Sequence, residues 1–284
     1  SAISTVTQML AVTWSTAPAP DRWVAAVQRW ALAGGVVALV VGREADRTWL
    51  FVIGGVSIIA AMVAVIGILV VVRHRASTDR FAPAIEAYVA AIAAGLGGMS
   101  IGVALGAGGI GERAWELRGV HVALNVFGLV GLVIAGTLPF FTATIVRSKM
   151  SPRATPAAVR LTIAGLAAAT ALAALGNGLD RPSLAAVGFV GYAVGLIVIV
   201  AILPVYDRSK LHWAGPRIVQ LLAGIGWWAA MSVALAVAAL TESRDTVILR
   251  ALVIGGLAQI LVASLAYLGP MLRGGGHRLL TAGF

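Results

Sequence analysis

Eight runs of about twenty or more largely uncharged residues, separated by short charged loops, constrain this chain more than any other feature. An α-helix rises about 1.5 Å per residue, so each run can cross a hydrocarbon core of roughly 30 Å. Backbone amides find no water there, which leaves helices or closed barrels as the only spanning structures. A barrel strand needs only about ten residues, so runs of this length are helices. The expected spans are 22–42, 49–72, 83–106, 115–147, 157–177, 183–205, 215–240 and 246–272. Their connections, such as READRT, RHRASTDR, SPRATP and TESRD, are polar and short. The expected fold class is therefore all-α: a polytopic transmembrane helix bundle forming one domain over 1–284.

Composition agrees. The chain is 60% hydrophobic and only 11% charged, against about 25% charged in soluble domains. Its formal charge of +10 sits in loops between apolar runs, so it reads as a topology signal and not as a nucleic-acid footprint. Of the 21 Lys and Arg residues, 14 fall on one set of loop faces and 7 on the other. The rich set, with Arg73, Arg75, Arg147, Lys149 and Arg153, marks the cytoplasmic side. The N-terminus is then outside and the C-terminus inside, in a multi-pass protein of the plasma (inner) membrane. Trp23, Trp49, Trp115 and Trp213 lie near span ends, as interfacial tryptophans do.

Residues 1–16 resemble the latter part of one more helix, ended by Ala17-Pro18-Ala19-Pro20. Their rise of about 24 Å is short of a full span. The chain also starts at Ser1 within an apolar pattern, so we expect a truncated N-terminal helix and a longer parent polypeptide. The absence of cysteine excludes disulfides, thiolate metal sites and haem attachment through Cys-x-x-Cys-His. No phosphate loop, His-Glu-x-x-His or paired-carboxylate site is present. Gly-rich 106–111 follows a membrane helix and not a strand, so it is no nucleotide loop.

The chemistry concentrates in Trp115 to Met150. His121 is the one histidine of four inside an apolar run. Asn125 at i+4 and Gly128 at i+7 share its helical face. Lipid offers an imidazole and a carboxamide nothing, so they must face a helix, a water or a cofactor. Imidazole is a good ligand for haem iron or copper, and Asn can orient it. The plainer reading, favoured on the residues alone, is a hydrogen bond that ties two helices. Met99 lies at a similar depth in an antiparallel neighbour, where it is a second ligand or simple packing. Pro139, deep in the same run, predicts a kink.

Other polar residues have weaker claims. Glu86 and Tyr88, near the inner end of 83–106, either line a cavity or reach the interface, with Arg80 as a partner for Glu86. Gln259 and Tyr267 share a face of the last span with Ala263 between them, and Gln220, Trp227 and Trp228 lie in the span before. All of these fit a cavity or a bundle interior. Arg160 and Arg250 sit where they can snorkel to the headgroups. His74, His212 and His277 belong to basic loops. Gly98, Gly102 and Gly106 recur every fourth residue, as do Gly191 and Gly195, which predicts close helix packing.

Several stretches resemble a known family. They are His121-Val-Ala-Leu-Asn125-Val-Phe-Gly128-Leu-Val-Gly131, Gly136-Thr137-Leu138 and Arg147-Ser-Lys-Met150. Ala266-Tyr267-Leu268-Gly269-Pro270 with Gly274-Gly275-Gly276, and Ser1 to Trp14 with Ala17-Pro18-Ala19-Pro20-Asp21, extend the likeness. Together they are similar to the membrane domain of actinobacterial multicopper-oxidase and copper nitrite-reductase-like proteins. That domain is distantly like the nitric-oxide-response haem–copper membrane proteins. The resemblance implies a redox-associated membrane module that binds haem b or copper through His121 and serves a cupredoxin or other redox domain outside the membrane. The chain lacks the set of helix histidines that the resemblance leads one to expect of an oxidase centre, so oxidase or reductase activity is not carried over to it. Whether this chain alone is an enzyme stays open, with the reading leaning against it. Two other readings stay open: a small-solute transporter hinged at Pro139 or Pro204, and a structural membrane subunit without ligand.

Overall fold

The computed structural model describes residues 8, 10–12, 15–79, 81–108, 111–204, 208–241, 243 and 246–272. All regular structure among them is helical. We label the helices α1 (Arg22–Glu44), α2 (Thr48–His74), α3 (Ala82–Gly106), α4 (Gly111–Ile145), α5 (Pro156–Gly178), α6 (Pro182–Ala201), the short α7 (Arg208–Ala214), α8 (Pro216–Leu240) and α9 (Thr246–Leu272). All but α7 are long and apolar enough to cross a membrane, eight among the described residues. The chain is an all-α polytopic membrane protein. Helical residues 8, 10–12 and 15 are what is described of the expected N-terminal helix.

Helix boundaries follow local chemistry. Proline opens α5, α6 and α8 and lies in the first turn of α3, where its missing N–H costs nothing. Asp46, Arg147 and Asp180 end α1, α4 and α5 in the left-handed region, with φ of 52°, 50° and 49°. Each is followed by a bond reaching back five residues: Arg47 N–H to Gly42 O at 2.7 Å, Ser148 N–H to Ala143 O at 2.9 Å, Arg181 N–H to Gly176 O at 2.8 Å. These are Schellman closures in which a non-glycine residue accepts about 1 kcal/mol of strain.

Two helices are not α-helical throughout. In α4 the segment Ala123–Val130 is π-helical, and in α9 the segment Leu252–Ala258 is too. The helix continues through Pro139 to Ile145. The departure from α geometry in α4 thus falls around Asn125, upstream of the proline expected to cause it.

The chain divides into two compact units. One comprises Ser1–Gly136 with Ala167–Gly188, the other Thr137–Leu166 with Phe189–Phe284. In the first unit α1–α4 pack in sequence, each against the next. Glycine sets the closest approach: a Cβ on Gly54 would lie 2.6 Å from Gly35 O and 2.8 Å from Leu39 Cα. Gly176 and Gly188 admit α5 against α6 in the same way. In the second unit α8 packs on α9, where a Cβ on Gly224 would lie 2.8 Å from Ile260 Cγ1. Valines of α1 and α2 such as Val37, Val56 and Val63 are exposed, which suits lipid. Trp23, Trp49 and Trp115 are each more than 60% exposed, as interfacial anchors require.

Gly54→Val should therefore destabilise the protein by about 1–3 kcal/mol, because the α1–α2 backbones cannot separate cheaply. Gly67→Ala meets nothing within 4 Å and should be neutral, or stabilising by up to about 1 kcal/mol. Unfolding of both variants in detergent checks the contrast.

Candidate functional site: His121 and Asn125 between α3 and α4

α4 is the most enclosed span: its most apolar window is 78% buried, against 17–44% for the others. His121 lies in the last turn of its α-helical first part, Ala114–Val122, and Asn125 lies in the π segment. Both are half-buried. His121 Nδ1 lies 2.7 Å from the Gly98 carbonyl of α3. A carbonyl can only accept, so Nδ1 carries the proton and donates. Asn125 Nδ2 donates to the His121 carbonyl at 2.8 Å. The same Nδ2 is 3.3 Å from Nδ1, but two donors do not bond, so that contact only brings the groups together.

The glycine row on α3 makes this possible. The Gly98 carbonyl points along α3 toward residue 102, so a ring that reaches it must lie over that position. A Cβ on Gly102 would fall 2.5 Å from His121 Cε1 and 2.7 Å from Nδ1. A Cβ on Gly98 would strike the Asn125 carboxamide, 2.8 Å from Cγ. One turn further on, a Cβ on Gly95 would lie 2.9 Å from Leu129 Cδ1. Residues 121, 125 and 129 of α4 thus meet 102, 98 and 95 of α3. The widened turns of the π segment suit this four-residue step. Gly106, the third member of the row, instead accepts the Phe51 ring. The row expected to serve plain packing is also the seat of the polar pair.

With Nδ1 committed, the Nε2 lone pair of His121 has no hydrogen-bond partner among the described residues. A histidine whose Nδ1–H is held by a backbone carbonyl and whose Nε2 is left over has the tautomer and orientation of a metal ligand. Met99 lies beside Gly98, half-buried, and forms no hydrogen bond with His121. No group of three or more His, Cys, Asp and Glu that could hold a metal ion occurs among the described residues. Among the described residues His121 thus offers one imidazole nitrogen, Nε2.

The other sequence candidates do not join this site. Glu86 is exposed on α3, whereas Tyr88 is fully buried. Arg80, the expected partner of Glu86, lies outside the described residues. Ala263 and Tyr267 of α9 are buried, and Gln259 Cβ lies 3.2 Å from the Cβ position of Gly224 on α8. Trp227 donates from Nε1 to the Ala251 carbonyl at 2.8 Å and packs on Gly255 at the second π segment. His74 and His212 are exposed, and His277 lies outside the described residues. An open groove of about 480 Å³, lined by Trp30, Val37, Val41 and Leu50 among others, is apolar and belongs to other helices.

One residue had no signal in the sequence reading. Glu116, in the first turn of the Ala114–Val122 helix, has a buried Oε2 without a hydrogen-bond partner among the described residues. Its place at a helix N-terminus offsets part of that cost. The nearby Asn177 of α5 would meet a Cβ on Gly119 at 2.9 Å.

No protein family matches this chain, and neither a curated protein nor a solved structure is significantly similar to it.

Gly102→Ala should displace the imidazole and break its bond to Gly98. Nitrogen-15 spectra of histidine-labelled protein should show a protonated Nδ1 in the parent protein and a changed tautomer mixture in the variant. An unchanged spectrum would mean the ring does not lie over Gly102.

Proposed function

We propose that the chain is the membrane module of a redox or sensor assembly, in which His121 ligates one metal centre, haem b iron or copper, through Nε2. The observation that carries this is the 2.7 Å bond from Nδ1–H to Gly98 O, which fixes the tautomer and leaves Nε2 for a ligand. Met99, a half-buried thioether beside Gly98, is the second candidate ligand in the chain. Asn125 is a positioning residue, its carboxamide packed against the Nδ1 edge of the ring. Bound haem or copper would supply one-electron chemistry. His121, oriented by its bond to Gly98, would hold it.

The charge bias of the loops supports a plasma-membrane protein with its C-terminus inside, and so a His121 site in the outer half of the bilayer. A cupredoxin or other redox domain on that side is the partner this reading calls for.

A second reading, a ligand-free structural subunit, is favoured by one specific fact. Both side chains already have a protein partner, His121 on α3 and Asn125 within α4. Absorption spectroscopy and metal analysis of the intact polypeptide separate the two. The redox reading expects a Soret band or stoichiometric copper that His121→Ala abolishes. The structural reading expects a colourless, metal-free protein in which His121→Ala costs only about 1–2 kcal/mol of stability.

A further inference from the structure

The second unit gathers cationic and aromatic side chains at one end of its helices. Arg147 follows α4, Arg217 lies in the first turn of α8, and Tyr267 lies near the end of α9. Arg217 is only 4% exposed. Its Nε donates to the Ala214 carbonyl at 3.2 Å, which fixes the guanidinium plane. The Arg147 guanidinium lies over the Trp213 ring, 3.8 Å from its centroid, a cation–π contact that holds the group in place. Arg217 Cζ is 6.0 Å from the Tyr267 ring centroid, and both arginines act electrostatically on the Tyr267 hydroxyl.

That hydroxyl is the telling group. Tyr267 is 4% exposed and packs edge-on against Phe141 at 5.6 Å. Its oxygen is buried and has no hydrogen-bond partner among the described residues. A buried tyrosine hydroxyl ordinarily finds a partner. The two guanidinium groups repel each other, so an anion between them would relieve that repulsion. Two guanidinium forks and a phenolic O–H are the donor set that grips a tetrahedral oxyanion. Their place at span ends is the depth of headgroup phosphates.

We propose that Arg147, Arg217 and the Tyr267 hydroxyl form a binding site for a phosphate-bearing anion, supplied by a lipid headgroup or by a soluble phosphate. Trp213 is a positioning residue that orients Arg147.

Native mass spectrometry and thermal unfolding of the whole chain in neutral detergent test it with two probes. They are inorganic phosphate and phosphatidylglycerol, with phosphatidylcholine as reference. Retention of phosphatidylglycerol alone identifies a lipid site, and a response to phosphate alone a soluble one. Either supports the proposal if Arg147→Gln weakens binding at least about tenfold and Tyr267→Phe weakens it measurably. Tyr267→Phe removes only the hydroxyl, so it keeps the test decisive where Arg217→Gln fails to fold. Arg250→Gln, an equal charge change at the other end of α9, should leave binding unaltered. The proposal is overturned if neither probe binds, if Arg147→Gln and Tyr267→Phe bind like the parent, or if Arg250→Gln weakens binding as much as Arg147→Gln.

Discussion

A polar side chain in hydrocarbon must find its partner within the protein, and the bond from His121 to the Gly98 carbonyl is how this chain meets that demand. The contact between α3 and α4 is arranged around it. The carbonyl already serves its own helix, so the imidazole must approach over the next turn, and residue 102 can carry no side chain. Asn125 follows one turn along and requires glycine at 98. The helices are then close enough for Leu129 to fill the space over Gly95. The π segment begins within this contact and lets three polar and apolar residues meet α3 at successive turns.

Much of this was legible. Hydrophobic run length gives eight spans, and their observed bounds differ from expectation by only a few residues. The reason is physical: bilayer thickness fixes span length and prolines fix where several spans begin. The polar pair was legible too, because histidine and asparagine stand out against valine and leucine. Its partner was not. Gly98 contributes a backbone carbonyl, which leaves no mark in the sequence beyond the absent side chains of the glycine row. The four-residue spacing of Gly98 and Gly102 matches that of His121 and Asn125 in an antiparallel pair, and that correspondence was the available clue.

The irregular backbone was harder to see. Proline advertises a break, yet the helix continues through Pro139. The π segments carry no comparable residue, because i→i+5 bonding depends on what the helix packs against. Each instead coincides with a side-chain donor reaching a carbonyl at its upstream edge, Asn125 on His121 O and Trp227 on Ala251 O. The cluster of Arg147, Arg217 and Tyr267 was hidden for another reason. Arg147 is well explained as a stop signal and Tyr267 as bundle filling when each is read alone. Only the fold joins residues so distant in sequence.

Two of the helix cross-links among the described residues make a useful comparison. Between α8 and α9 the donor is the Trp227 indole, whose single polar atom is satisfied at 2.8 Å. Between α3 and α4 it is an imidazole, which makes an equally short bond and has a second nitrogen left over. A strut in hydrocarbon gains nothing from that nitrogen, and an unpaired acceptor there costs free energy. A serine, threonine or tryptophan would tie the helices without it. In the reading proposed above, a ligand on that surplus atom would turn its cost into binding.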